Sequence, residues 1–153
     1  MANTYSQVHL HFIFAPKFRQ ALICNSWETS LYKYITGIVE ARQHKMIAIN
    51  GMSDHVHMLI GFRTTQSIAD LMQDVKADSS QWINGNRFCG SRFEWQAGCG
   101  VFSYSKSQVP NLVNYIQTQK EHHRKLTFRQ EYLSFLKKFE IEYDERYIFK
   151  SPE

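Results

Sequence analysis

Little in this sequence interrupts or staples a chain. Seven glycines and three prolines among 153 residues exclude a collagen-like repeat and a low-complexity linker. Three cysteines, Cys24, Cys89 and Cys99, are too few and too odd in number for a secreted disulfide framework. No apolar run approaches the roughly 18–20 residues that cross a bilayer. The segment Met1 to Gln7 is polar, and the apolar stretch after it is broken by His9, His11 and Lys17, so no signal-peptide layout is read. A cytoplasmic protein with no membrane partner is expected. A strong charge of one sign is also missing. Eighteen Lys and Arg against fourteen Asp and Glu give +4, which permits a polyanionic partner without demanding one.

What is abundant is apolar and aromatic. The hydrophobic fraction is 43%, and 14% of residues are aromatic, mainly eleven Phe and eight Tyr. Such a chain builds a substantial core, and its aromatics also offer surfaces on which bases stack. There is no internal repeat, linker or break in composition, so residues 1–153 read as a single domain.

The pattern along the chain alternates strand and helix. Tyr5 to Ala15 is rich in β-branched and aromatic residues and ends at Pro16, which predicts a strand. From Trp27 to Gln43, Leu31, Tyr34, Ile35, Ile38 and Val39 recur at helical spacing. Met46 to Met52 and His55 to Phe62 are two further strands whose separation by Ser53-Asp54 suits an antiparallel hairpin. Ser67 is placed to cap a helix through Ile68, Leu71, Met72, Val75 and Trp82, which Asn84-Gly85-Asn86 ends. Phe93 to Tyr104 reads as a long strand with a bulge or bend at Gly98 and Gly100. Pro110 opens a third helix reaching about Arg124, and a fourth runs from Phe128 to Phe139. The tail, Tyr143 to Phe149, is expected to pack down. The order β-α-β-β-α-β predicts an α+β fold: a ferredoxin-like, or RNA-recognition-motif-like, four-stranded antiparallel sheet with helices on one face, followed by C-terminal helices.

Two segments carry residue types suited to chemistry. On a strand, His55 and His57 project to the same face while Val56 faces the other way. Two neutral imidazoles so placed suit a divalent metal, and they equally suit a hydrogen-bonded pair on a half-exposed face. His9 and His11 repeat the spacing on the first strand, and nothing local separates the two pairs; in the ferredoxin-like order the first and third strands are the central two, so either the pairs lie near each other or one is purely structural. On the third helix, Tyr115 and Gln119 lie four apart and share a face. A phenol beside an amide oxygen suits a phosphate-attacking hydroxyl next to a ligand for a hard cation; the plainer reading of Tyr115 is a core aromatic whose hydroxyl reaches the surface.

Taken in order, these segments resemble a known family. Pro16 to Arg19 after the opening strand, Asp54-His55-Val56-His57, the helix of Lys76 with Ser79-Ser80, Trp95-Gln96 leading to Phe102-Ser103, and Tyr115-Ile116-Gln117-Thr118-Gln119 are similar to the single-tyrosine transposases of the HUH superfamily. This is the insertion sequence 200-like group, with the REP-associated tyrosine transposases as relatives. The resemblance spans nearly the whole chain. It implies that His55, His57 and Gln119 ligate a divalent metal, Mg2+ or Mn2+, and that Tyr115 is the nucleophile. It leaves His9 and His11 as structural residues. His122, one further turn along the Tyr115 face, is placed to border the site, although His122 and His123 are expected to belong to a solvated basic end.

The implied activity is metal-dependent cleavage and rejoining of single-stranded DNA at the hairpin-bearing ends of a mobile element, through a 5′-phosphotyrosine intermediate. The implied assembly is a homodimer whose tyrosine helices complete each other's sites. Lys17, Arg19, Lys76, Arg87 and Arg92 are the candidate phosphate contacts. A host-domesticated REP-associated nuclease would share this chemistry. A non-catalytic RNA-recognition-motif-like module would instead stack bases on an open aromatic sheet face, and a small-molecule metalloenzyme would need a closed apolar pocket.

Overall fold

A computed structural model describes residues 4–144, without the side chain of Arg19. Its elements are β1 (His9–Phe14), α1 (Asn25–Ala41), β2 (Lys45–Met52), β3 (His55–Gly61), α2 (Ile68–Gly85), β4 (Gly100–Tyr104), α3 (Val109–Gln117), α4 (Gln119–His122) and α5 (Phe128–Lys138). The four strands form one antiparallel sheet in the order β2-β3-β1-β4, which is the ferredoxin-like arrangement expected from the alternation of elements. The two strands that carry His-x-His are therefore central and adjacent.

Strand alternation divides the sheet into two chemically distinct faces. Leu10, Phe12 and Phe14 of β1 with Val56, Met58 and Ile60 of β3 point to one side. There they bury against Trp27, Leu31, Ile35 and Val39 of α1 and Leu71, Val75 and Ile83 of α2. This is the main core. On the opposite side, α3 packs Leu112 and Ile116 on Ala48 and Leu59, while α5 lays Phe128, Tyr132, Phe135 and Leu136 over Ile13, Ala15 and Phe102. The face that an RNA-recognition-motif-like module would leave open is covered in this chain by α3 and α5.

Local chemistry explains most boundaries. Ser67 caps α2, its hydroxyl accepting from the Asp70 amide at 3.0 Å, and Pro110 stands in the first turn of α3. Two expectations are corrected. The strand expected over Phe93–Tyr104 is only five residues long, because the chain turns at Gly98, whose φ of +81° is open to glycine. Upstream of that turn, Trp95 makes an isolated bridge to Pro16, and Lys76 Nζ donates to the carbonyls of Gln96 and Gly98 at 2.7 and 2.5 Å. The helix expected from Pro110 to Arg124 is likewise not continuous: it breaks at Thr118 (φ −104°, ψ 25°), between Tyr115 and Gln119. Of the expected packed tail, Tyr143 and Asp144 carry no regular structure, and 145–149 lie outside the described residues.

Candidate active site

The site lies on the covered face of the sheet, between α3 and α5. A tight approach in the β2–β3 hairpin presents its first histidine. A Cβ on Gly51 would meet the His55 carbonyl oxygen at 2.2 Å, so only glycine lets the two strands close there. Asp54, in the two-residue turn, faces His55 Nδ1 at 2.7 Å. One residue further along the same face, His57 Nδ1 lies 2.8 Å from Nε2 of His11 on β1. All three rings are fully buried.

The end of the tyrosine helix is tied to this hairpin. Asn50 on β2 donates to the carbonyls of Ile116 and Gln117 at 3.0 and 3.2 Å, satisfying groups that a helix C-terminus leaves open. Lys120 Nζ donates to the Gly51 carbonyl at 2.6 Å. These bonds fix where Tyr115 and Gln119 stand. Gln119, fully buried, places Oε1 3.0 Å from His55 Nε2. The Tyr115 ring lies edge-on to His57, with centroids 6.0 Å apart, and is stacked by His122 at 4.5 Å. All four residues singled out for chemistry, His55, His57, Tyr115 and Gln119, meet within one chain.

At their centre is Glu131 of α5, 0% exposed, a residue the sequence reading passed over. Its Oε2 accepts hydrogen bonds from the Tyr115 hydroxyl and from Gln119 Nε2. Its Oε1 faces Nε2 of His57 at 3.0 Å, of His123 at 3.0 Å and of His55 at 3.4 Å. His123 is thus not part of a solvated end: its side chain is 5% exposed and aims inward. Phe128 lies flat on His55, with centroids 4.1 Å apart. His11 lies beside the site as the hydrogen-bond partner of His57. The signal for Glu131 and His123 lay only in their type and in helical position, which many surface residues share.

Burial and charge set the protonation states here. Burial, reinforced by the neighbouring rings, pushes the His57 imidazole down to about 4, against the pull of Glu131, and His11 is lowered by the same desolvation. For Glu131, burial works upward, yet hydrogen bonds from His123 and His57 outweigh it and hold the carboxyl well below the usual carboxylate range. The Tyr115 phenol is raised by burial and then by the charge of Glu131. Four donor groups, from His55, His57, His123 and Glu131, lie within 4.8 Å of one another. A buried set of imidazoles around a carboxylate fits a divalent metal ion.

The basic candidates are dispersed. Lys17 pairs with Glu94 at 3.2 Å on the surface. Arg87 and Arg92 line a shallow depression together with Gln81 and Asn84. The Lys76 ammonium is engaged by the two carbonyls named above. The side chain of Arg19 lies outside the described residues. Among the described residues no helix is long and apolar enough to cross a membrane.

Comparison with known proteins agrees with the fold. A candidate transposase from Deinococcus radiodurans R1 has a similar structure, with a TM-score of 0.63 and 19% identity, over 78% of this chain and 95% of that one. A REP-associated tyrosine transposase bound to a REP hairpin matches with a TM-score of 0.60 and 13% identity, over 80% of this chain and 73% of that one. At these identities the likeness concerns the fold. Among curated proteins none matches the sequence. The family described as "Transposase IS200 like" matches residues 4–119, three-quarters of the chain, running from the polar lead-in of β1 to Gln119. The chain belongs to the IS200-like transposase family.

Proposed function

We propose that this transposase cleaves and rejoins single-stranded DNA through a covalent bond to Tyr115, with a divalent cation held at His55, His57 and Gln119. The observation that carries the reading is the shared carboxylate of Glu131, which contacts the Tyr115 hydroxyl through one oxygen and the histidines through the other. A phenol is thereby held beside a cluster suited to a cation, which is what attack on a phosphodiester requires.

In this reading the Tyr115 oxygen attacks phosphorus as its proton passes to Glu131, the bond from phosphorus to the 3′ oxygen breaks, and the departing 3′ oxygen takes up a proton from water to leave as a 3′-hydroxyl. Glu131 Oε2, which already accepts the phenol's hydrogen bond, is placed to take its proton. His57 and Phe135 border the ring edge-on. A cation bound here, Mg2+ or Mn2+ by the family resemblance, would engage a phosphate oxygen and offset the charge of Glu131, which adds to burial in keeping the phenol protonated.

The substrate in this proposal carries hairpins near its ends, a reading supported by the hairpin bound to the REP-associated neighbour. Lys17, Arg19, Arg87 and Arg92 are the proposed phosphate contacts, and Lys76 braces from beneath the loop that carries Gln96 and Gly98. A homodimer belongs to the same proposal. The four residues already lie together within one chain, which supports cleavage without an exchanged helix.

The test is incubation with labelled single-stranded end DNA and Mn2+. A covalent protein–DNA adduct is expected from the natural chain and none from Tyr115→Phe. An adduct of equal yield from Tyr115→Phe removes the nucleophile assignment.

A further inference from the structure

Tyr115 borders a second space besides the buried histidine cluster. A cleft of about 320 Å3 lies between α3 and α5, and its lining includes Tyr104, Gln108, Asn111, Tyr115, Phe135 and Lys138. Chain geometry brings these residues together. Asn111 and Tyr115 stand one turn apart on α3, and Phe135 and Lys138 share a face of α5. Tyr104 ends β4, on the same face of the sheet as Phe102.

The groups around the cleft are of three kinds. Tyr104, Tyr115 and Phe135 supply aromatic surface, with the Tyr115 and Phe135 rings edge-on at 5.8 Å. Amides stand at the start of α3. Gln108 is fixed there, its Oε1 accepting from the Ser105 amide at 2.9 Å, whereas the exposed Asn111 side chain holds no hydrogen bond among the described residues. The Lys138 ammonium lies 5.7 Å from the Tyr104 ring centre. In addition, the Tyr104 hydroxyl is buried with no hydrogen-bond partner. A buried polar group so placed is costly, and a polar edge entering the cleft would relieve it. Aromatic faces, an amide with both donor and acceptor, and a cation are the groups that hold an unpaired nucleotide by its ring, its base edge and its phosphate.

We infer that the cleft takes the unpaired base of a nucleotide flanking the scissile phosphate, and that Asn111 reads this base as adenine. One helical turn, about 5.4 Å, separates Asn111 from Tyr115, so a strand whose phosphate is attacked by Tyr115 lays a neighbouring nucleotide against Asn111. An Asn amide complements adenine, donating to N7 and accepting from the N6 amino group. The volume is at the lower end of the roughly 300–1,000 Å3 typical of ligand pockets, which suits one nucleoside. Lys138 then meets the phosphate beyond it. This inference rests on the proposed attack by Tyr115 and adds to it a sequence preference supplied by the protein.

The adduct assay with labelled single-stranded end DNA and Mn2+ tests it, using the full chain and DNA carrying a tetrahydrofuran abasic analogue on either side of the mapped cleavage position. At one of the two positions the analogue is expected to lower adduct yield by about fivefold or more, and adenine there should give the highest yield of the four bases. Asn111→Ala should cause a loss of similar size on intact DNA and none beyond it on that abasic DNA. Asn111→Asp should move the preference from adenine to cytosine, whose N4 amino group donates to a carboxylate. Full yield with the analogue at both positions, equal yields from all four bases, or the same Asn111→Ala loss on intact and abasic DNA overturns the inference while leaving the Tyr115 adduct intact. Absence of adduct from every DNA, the intact strand included, sinks the Tyr115 reading and this inference with it.

Discussion

Nε2 of His11 sits 2.8 Å from Nδ1 of His57, across the ladder that joins the two central strands. Their rings overlap, with centroids 5.0 Å apart and planes at 22°. The repeated His-x-His of β1 is therefore neither a second site nor a bystander. With a cation in the cluster, His57 Nδ1–H would donate to His11 and leave the Nε2 lone pair for the ion, in place of the N–H that Nε2 otherwise turns to Glu131.

His11→Leu keeps the volume of the ring and removes that partner. Its expected effect is roughly a ten- to hundredfold loss of metal affinity with secondary structure unchanged, measured by titration and circular dichroism. Unaltered affinity would make His11 a packing residue only.

Stability should fall on acidification before ordinary carboxylates titrate. Burial lowers His57 from 6.5 to about 4 and lowers His11 in the same direction. Between these values the unfolded chain binds more protons than the folded one, so the contribution of these two rings is full above pH 6.5 and drains as pH falls toward 4. His57 alone contributes on the order of 3 kcal/mol across that window. His123 is raised, so its contribution is lost on the alkaline side instead. Denaturant midpoints in the presence of chelator, taken from pH 7 to pH 4, check the slope. A flat profile contradicts the buried neutral imidazoles.

A second buried network explains why serine stands at position 79. Trp95 Nε1 donates to Ser79 Oγ at 2.9 Å, and Ser79 donates in turn to the Val75 carbonyl. Trp95 packs on Phe14 and Phe93, fixing the loop before β4. Ser79→Ala strands the indole N–H and is expected to cost about 1–3 kcal/mol, read as a melting-temperature drop of several degrees. Adding Trp95→Phe should not double that loss, because the orphaned donor goes with the indole. Simple additivity of the two substitutions would show that no such coupling exists.

How much was legible varied with the reach of the interaction. Ser67 capping α2, the Ser53-Asp54 turn, and the alternation of His55 and His57 against Val56 and Met58 are local, governed by backbone geometry within a few residues. They could be read directly, as could the sheet order once the alternation of elements was recognised. The long strand before Tyr104 failed because its aromatic pattern outlasts its pairing: Trp95 is anchored to α2 by Ser79, and Gly98 turns the chain away before β4 begins.

The sequence by itself determined which residue types were available and which of them share a strand or helix face, so His55, His57, Tyr115 and Gln119 could be named from spacing and family likeness. Only the tertiary structure decided that His11, His123 and Glu131 stand among them. No periodicity links β1, the turn after α4 and the inner face of α5. They are brought together because Phe128, Tyr132 and Phe135 bury on the second face of the sheet, and that packing carries a carboxylate into the histidine cluster.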